Sequence, residues 1–207
     1  MKMESLQNNF NEKDGSLIIY SSRKIIDTFL TKRIHEIPKE ILQDPRFDDK
    51  RGCFVTLKLN DKQRTLRGCI GFPEPVYKLS KALCEASIAS ATQDPRFPPV
   101  VLEEMKSILL EVSILTRPTA IEVKSQKDIP SHIEIGKHGL IMHWSFGSGL
   151  LLPQVATEED WDAEEFLSNL SLKSGANPHQ WLVPGTRVLK FEARVFSEQP
   201  DGRVLTT

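Results

Sequence analysis

The stretch "CFVTLKL" (Cys53–Leu59), the polar break "NDKQ" and the return "RTLRGCIG" (Arg64–Gly71) together alternate apolar and polar residues with the period of a half-buried sheet. Two such runs joined by a short turn read as an antiparallel hairpin. Its apolar side must be covered by another layer, so the chain is committed to a sheet with helices against it. Register decides which side chains share a face. Setting Leu57 opposite Leu66 leaves Leu59 and Arg64 flanking a four-residue loop and brings Val55 against Gly68. Cys53, Val55, Leu57 and Leu59 then lie on one side with Leu66, Gly68 and Ile70, whereas a one-residue slip would split these apolar rows between the two faces. Arg67 and Cys69 fall together on the other side, with Thr65, Phe54 and Thr56 near them. Cys53 and Cys69 are therefore expected on opposite faces, with no disulfide between them.

The remaining segments extend this frame. "SLIIYSSRKIIDTFLTKR" has apolar residues near helical spacing, with Ser16 as the expected N-cap. "PVYKLSKALCEASIASATQ" reads as a small-residue helix stopped by Asp94 before Pro95. "SILLEVSIL" reads as a strand, and "HGLIMHWSFGSGLLLP" as a hairpin with Gly147 and Gly149 at its tip. "TEEDWDAEEFLSNLSLKSG" reads as one amphipathic helix with Gly175 at its C-cap, and "RVLKFEARVF" as a closing strand. Strands and helices do not alternate regularly, so the fold class is α+β with a mainly antiparallel sheet flanked by helices. Residues 1–15 are expected to form a flexible tail, residues 16–200 a single domain and residues 201–207 a C-terminal tail. The pentapeptide "QDPRF" occurs at Gln43–Phe47 and again at Gln93–Phe97. The flanks differ, so the repeat is read as one turn chemistry used twice rather than as a duplicated domain.

Charge and cysteine usage exclude several classes. Lys plus Arg number 27 against 28 Asp plus Glu, a net charge of −1, so no long-range field draws the chain to nucleic acid or an anionic membrane, which leaves only a local basic patch open. No apolar run approaches the roughly 20 residues of a membrane span, and the polar start lacks the apolar centre of a secretory signal. Three scattered cysteines suit a reducing cytoplasm. There is no Cys-x-x-Cys or His-Glu-x-x-His pattern, so no metal site is expected; the residues leave any cofactor unknown.

The chemistry-bearing candidate is Cys69, with Arg67 as its electrostatic partner. A guanidinium beside a thiol favours the thiolate, the form that attacks electrophiles. Gly68 and Gly71, lacking side chains, would let a ligand approach the backbone. Against this stands the frequency with which a free cysteine is a small buried hydrophobe, and no histidine lies nearby in sequence to serve as base. Asp94 and Arg96 are candidates for a polar or anionic ligand, although an Asp-Pro-Arg turn also pairs internally. His138 between Lys137 and Gly139 is a candidate base or a solvated turn residue, and Gln154 a candidate amide contact. Trp144, Trp161 and Trp181 sit in no basic strip and are read as core anchors.

"TLRGCIGF", "DPRFPPV", "LEVSILT", "IGKHGL", "LLPQVA" and "LKSGA" follow one another in an order that resembles the AMMECR family, over about Gly52 to Phe196. The resemblance carries the signature onto Leu66–Gly71, and the further family blocks onto Asp94–Phe97, onto Gly136, His138 and Gly139, and onto Leu152–Val155. It implies an α+β fold with a larger lobe holding both termini, a smaller lobe and a cleft between them. It also implies an intracellular protein and partner proteins of Memo-like or radical-SAM type, in a nucleotide or nucleic-acid modification pathway. No activity is established for the family. The resemblance thus leaves open an enzyme or enzyme subunit, a non-catalytic binding or adaptor domain, and an RNA-binding module.

Overall fold

In the computed structural model, which describes residues 10–206, the chain divides into two compact units. The first takes the chain as far as Leu115 and again from Arg194; the second is Thr116–Ala193.

The first unit opens with helix α1 (Glu12–Lys32) and a short helix α2 (Lys39–Leu42). Helix α1 starts ahead of the expected Ser16. Asn11 caps it, its Oδ1 accepting the Lys13 N–H at 2.9 Å while the Asn11 N–H donates to Asp14 at 2.7 Å. This reciprocal pair satisfies orphan donors that Ser16 would have left inside the first turn. Residues 10–15 are accordingly cap and helix, with Phe10 buried, and not a tail. Residues 1–9 of the expected tail lie outside the described residues. Strands β1 (Cys53–Leu59) and β2 (Leu66–Phe72) form the expected hairpin, and helix α3 (Leu79–Thr92) lies against its apolar face. Strand β3 (Ile108–Leu115) pairs antiparallel with the other side of β1, placing β2 at the sheet edge. Cys53, Val55 and Leu57 point into a core with Ile18, Ile19 and Ile26 of α1 and Leu79, Ala82, Leu83 and Ala86 of α3. Small residues on α3 bring its backbone down onto the sheet.

The smaller unit contains the two-residue strand β4 (Thr119–Ala120), the hairpin of β5 (His138–Trp144) and β6 (Gly147–Leu151), and helices α4 (Pro153–Glu158) and α5 (Ala163–Lys173). Strand β7 (Arg187–Glu198) begins here, pairing with β4 and β5, and its last residues pair in the first unit with β8 (Val204–Thr206). Residues 204–206 are thus strand where a tail was expected. Leu140, Met142, Phe166, Leu167, Leu170, Trp181 and Val188 form the core of this unit, with Trp144 and Trp161 packed against it.

Two further expectations are corrected. Trp144 pairs with Gly147, so the hairpin tip is Ser145–Phe146, and Gly147 and Gly149 are strand residues that lie under Ser174 and Leu170. The acidic amphipathic segment breaks into α4 and α5, because Asp162 accepts the N–H groups of Glu164 and Glu165 and starts a new helix. That helix ends at Ser174, with Gly175 at φ +80° and the Ala176 N–H returning to the Ser171 carbonyl.

Candidate functional site

The β1–β2 pairing sets Leu57 opposite Gly68, Thr56 opposite Cys69 and Val55 opposite Ile70. This is two residues from the expected register. A shift of two preserves the faces, so Cys53 is fully buried on one side while Cys69 lies partly buried on the other. All three cysteines are free thiols. Beyond Gly68 the register jumps, with Lys58 opposite Leu66, and Arg67 is the extra residue of a β-bulge.

Thr56 is the centre of a lateral row. It faces Cys69 across β2 and Glu111 across β3, and its hydroxyl donates to Cys69 Sγ at 3.3 Å. Glu111 in turn accepts from Ser197 Oγ at 2.8 Å and from Lys58 Nζ at 3.0 Å. Thiol, hydroxyl, carboxylate, ammonium and a second hydroxyl are thus gathered on the outward face of one sheet. Lys58, Glu111 and Ser197 also line a hollow of about 240 Å³ with Arg64, Glu198 and Gln199. Sequence reading placed Thr56 near the thiol but missed Lys58, Glu111 and Ser197. Period-2 alternation carries the signal for the first two, since both lie on polar positions of otherwise apolar strands.

The turn after α3 closes the edge of this face. Asp94, 5% exposed, accepts the Cys69 N–H at 2.8 Å, the Arg96 N–H at 3.1 Å, and Arg96 Nε and Nη2 at 3.0 and 2.7 Å. The Arg96 guanidinium, with the two backbone donors, holds the Asp94 carboxyl well below the usual carboxylate range against the opposing effect of burial. Arg96 itself remains open, its side chain 54% exposed, and Nη2 reaches the Cys69 carbonyl at 3.5 Å. The arginine that reaches Cys69, through its main-chain carbonyl, is therefore Arg96.

Arg67 is committed elsewhere. Its Nε and Nη2 donate to the Glu104 carboxylate at 3.1 Å and its Nη1 to the Pro98 carbonyl at 3.0 Å. The bulge turns it toward the segment after α3, which corrects its expected role as partner of the thiol. The two glycines are likewise occupied by protein. A Cβ on Gly68 would lie 2.2 Å from the Ser90 carbonyl oxygen of α3, and one on Gly71 2.3 Å from the Phe54 ring that covers it. The space that each side chain would have taken is filled by protein.

His138 and Gln154 lie in the second unit. His138 is buried, and its Nδ1 accepts the Glu134 N–H at 2.9 Å while its own N–H donates to the Glu134 carbonyl. The ring closes a turn, and burial pushes its pKa below the ordinary histidine value. Gln154 stands half-buried in the first turn of α4. Among the described residues, no group of three or more His, Cys, Asp or Glu could hold a metal ion, and no helix is long and apolar enough to cross a membrane.

A family model described as AMMECR1 matches residues 19–196. A protein of Methanocaldococcus jannaschii is 47% identical over 93% of this chain and 94% of its own length. One from Methanothermobacter thermautotrophicus is 54% identical over 73% of this chain and 78% of its own. The crystal structure of an uncharacterised protein from Pyrococcus horikoshii superposes with a TM-score of 0.87 at 42% identity, covering 96% of this chain and 98% of that one.

Proposed function

This chain belongs to the AMMECR1 family, and on that premise we propose that it is an enzyme or enzyme subunit working on the polar face of β1, β2 and β3, with Cys69 as nucleophile or ligand contact. The observation that carries the reading is the row Cys69–Thr56–Glu111–Ser197, in which a thiol that is only partly buried has polar lateral neighbours. Free cysteines of a merely structural kind sit among apolar side chains, as Cys53 does here. In a nucleophilic step the sulfur would bond to an electrophilic carbon as that carbon's bond to the leaving group breaks, with the Thr56 hydroxyl aiming the sulfur and the Lys58–Glu111 pair taking up the thiol's proton and returning one to the departing group. The pathway is the nucleotide or nucleic-acid modification that the family resemblance implies.

A second reading, a non-catalytic binding or adaptor domain, draws on the fate of the signature. Arg67, Gly68 and Gly71 are spent on Glu104, Ser90 and Phe54, which is what a packing motif requires. The two readings separate in one experiment. The protein and its Cys69→Ser variant are incubated with a cell extract of metabolites and RNA, and their intact masses are read under native and denaturing conditions. A mass carried only by the Cys69 protein supports the site. The same bound species on both proteins, or none on either, rejects it in favour of the adaptor. The thiol itself is checked with iodoacetamide. Cys69 is expected to alkylate in the folded state, while Cys53 and Cys84, whose thiols burial pushes up to about 12 and about 11, stay unlabelled until unfolding.

A further inference from the structure

The two "QDPRF" turns provide a comparison inside one chain. In each, the aspartate accepts the N–H of the arginine two residues on and also its guanidinium. Asp44 takes the Arg46 N–H and Nε at 3.0 Å and Nη2 at 2.6 Å, and Asp94 takes the same three groups of Arg96 at 3.1, 3.0 and 2.7 Å. In the first turn the outer edge of the guanidinium is completed by a second carboxylate. Asp14 accepts from Arg46 Nη1 at 2.9 Å and from Nη2 at 2.8 Å, the side-by-side geometry of an arginine–oxyanion pair.

The second turn has the fork and lacks the second carboxylate. Arg96 Nη1 has no hydrogen-bond partner among the described residues, and the side chain is half-exposed. Its orientation is nonetheless set from behind by a buried carboxylate that is itself tied to the Cys69 N–H. A guanidinium held this way has lost its rotamer freedom in advance, so less entropy opposes capture of an anion.

We infer that Arg96 is the anion anchor of the Cys69 site, receiving an oxyanion of the ligand, a carboxylate or a phosphate, at the edge that Asp14 occupies on Arg46. This rests on the reading of Cys69 as the site's centre and adds the class of molecule it takes: a small ligand with an oxyanion next to the atom that meets the sulfur. Asp94 is then a positioning residue, acting only through Arg96.

The test compares two alkylating agents of nearly equal size, iodoacetate and iodoacetamide. Each forms a bond from Cys69 Sγ to its methylene carbon and expels iodide, and only the first carries a carboxylate. The ratio of their rates at Cys69 cancels differences in thiolate fraction and exposure between variants, because these change both rates alike. Arg96→Gln is expected to lower the iodoacetate-to-iodoacetamide ratio by about threefold to tenfold, the scale of one unit charge at a few ångströms in a partly solvated site. Arg46→Gln, in the closed turn, should leave it unchanged. An unchanged ratio in Arg96→Gln overturns the inference.

A second measurement does not depend on the thiol. In a titration of the 15N-labelled protein with inorganic phosphate or with acetate, against sodium chloride at matched ionic strength, the Arg96 signals should move and those of Arg46 should not. A response to phosphate alone or to acetate alone identifies which oxyanion the site takes. No movement at Arg96 with either anion overturns the proposal. If Arg96 binds the anion while no Cys69-dependent mass appears in the extract experiment, the anchor stands and the nucleophile reading falls.

Discussion

At Asp94 one carboxylate accepts four N–H donors, one from Cys69 and three from Arg96. The charged form is the one these donors stabilise, so its contribution to folding is present above the ordinary carboxylate pKa and is lost as pH falls toward the depressed folded value. His138 is the converse case. Its Nδ1 must stay unprotonated to accept the Glu134 N–H, and burial, with Lys190 and Lys137 nearby, disfavours the cation more than Glu192 and Glu134 favour it. With its folded pKa lowered, the unfolded chain binds the proton more readily, and stability falls as pH drops below the unfolded value. The expected outcome is a urea midpoint that declines from about pH 7 to about pH 5 and declines less in His138→Asn, whose carbonyl oxygen can replace Nδ1 as acceptor without titrating. Parallel curves for the two proteins would show that the turn is indifferent to this ring.

Strand β2 is shaped by what lies above and below it. Gly68 admits the α3 backbone, and a methyl there meets a carbonyl oxygen that can move only with its helix. Gly68→Ala should cost on the order of 1–3 kcal/mol of stability, the usual range for overpacking. At Gly71 a methyl meets two obstacles, the Phe54 ring directly opposite at 2.3 Å and the Cys53 carbonyl oxygen at 2.6 Å, and only the ring can be removed by substitution. Gly71→Ala and Phe54→Ala should therefore be non-additive. The double variant is expected to be more stable than the sum of the single costs allows, by about 0.5–3 kcal/mol for residues in direct contact, read from denaturant midpoints. Strict additivity would mean that the ring does not rest on the glycine. The outward edge of β2 is protected in its turn, since Asp94 takes the Cys69 N–H that another strand would use.

The first unit is assembled from two separated lengths of chain, and the second length is short but central. Phe196 is fully buried in its core, and Glu198 accepts the Leu110 N–H and the guanidinium of Arg23 on α1. Phe196→Ala should cost about 3–5 kcal/mol, the range for deleting a buried aromatic ring. A chain ending at Ala193 should lose the protection of α1 amides against hydrogen exchange, because Arg23 and the Phe196 site lose their partners together. Full protection of α1 in that truncated chain would show that the unit stands without its returning strand.

Local pattern determined a large part of this molecule. Period-2 alternation from Cys53 to Ile70 was enough to place Cys53 inside and Cys69 outside, because burial penalises any odd slip while leaving a slip of two unopposed; the parity was legible and the register was not. The irregular order of strands and helices, with two strand pairs that read as antiparallel, yielded the α+β class, which the structure and its likeness to a solved relative bear out. Helix limits were less legible, since Asn11 and Asp162 compete as caps with neighbours of equal propensity and only packing selects between them. The residues of the candidate site were named in part, and their arrangement was not. Cys69, Asp94 and Arg96 were named from their motifs, but the partner assigned to the thiol was the arginine nearest in sequence. A bulge at Arg67 and a turn arriving from the end of α3 exchanged the two arginines, and no property of a six-residue signature encodes a contact with residues 25 or more positions away. Glu111 and Ser197 joined the row for the same reason: lateral neighbours in a sheet come from distant strands, and only the tertiary fold decides which strands those are.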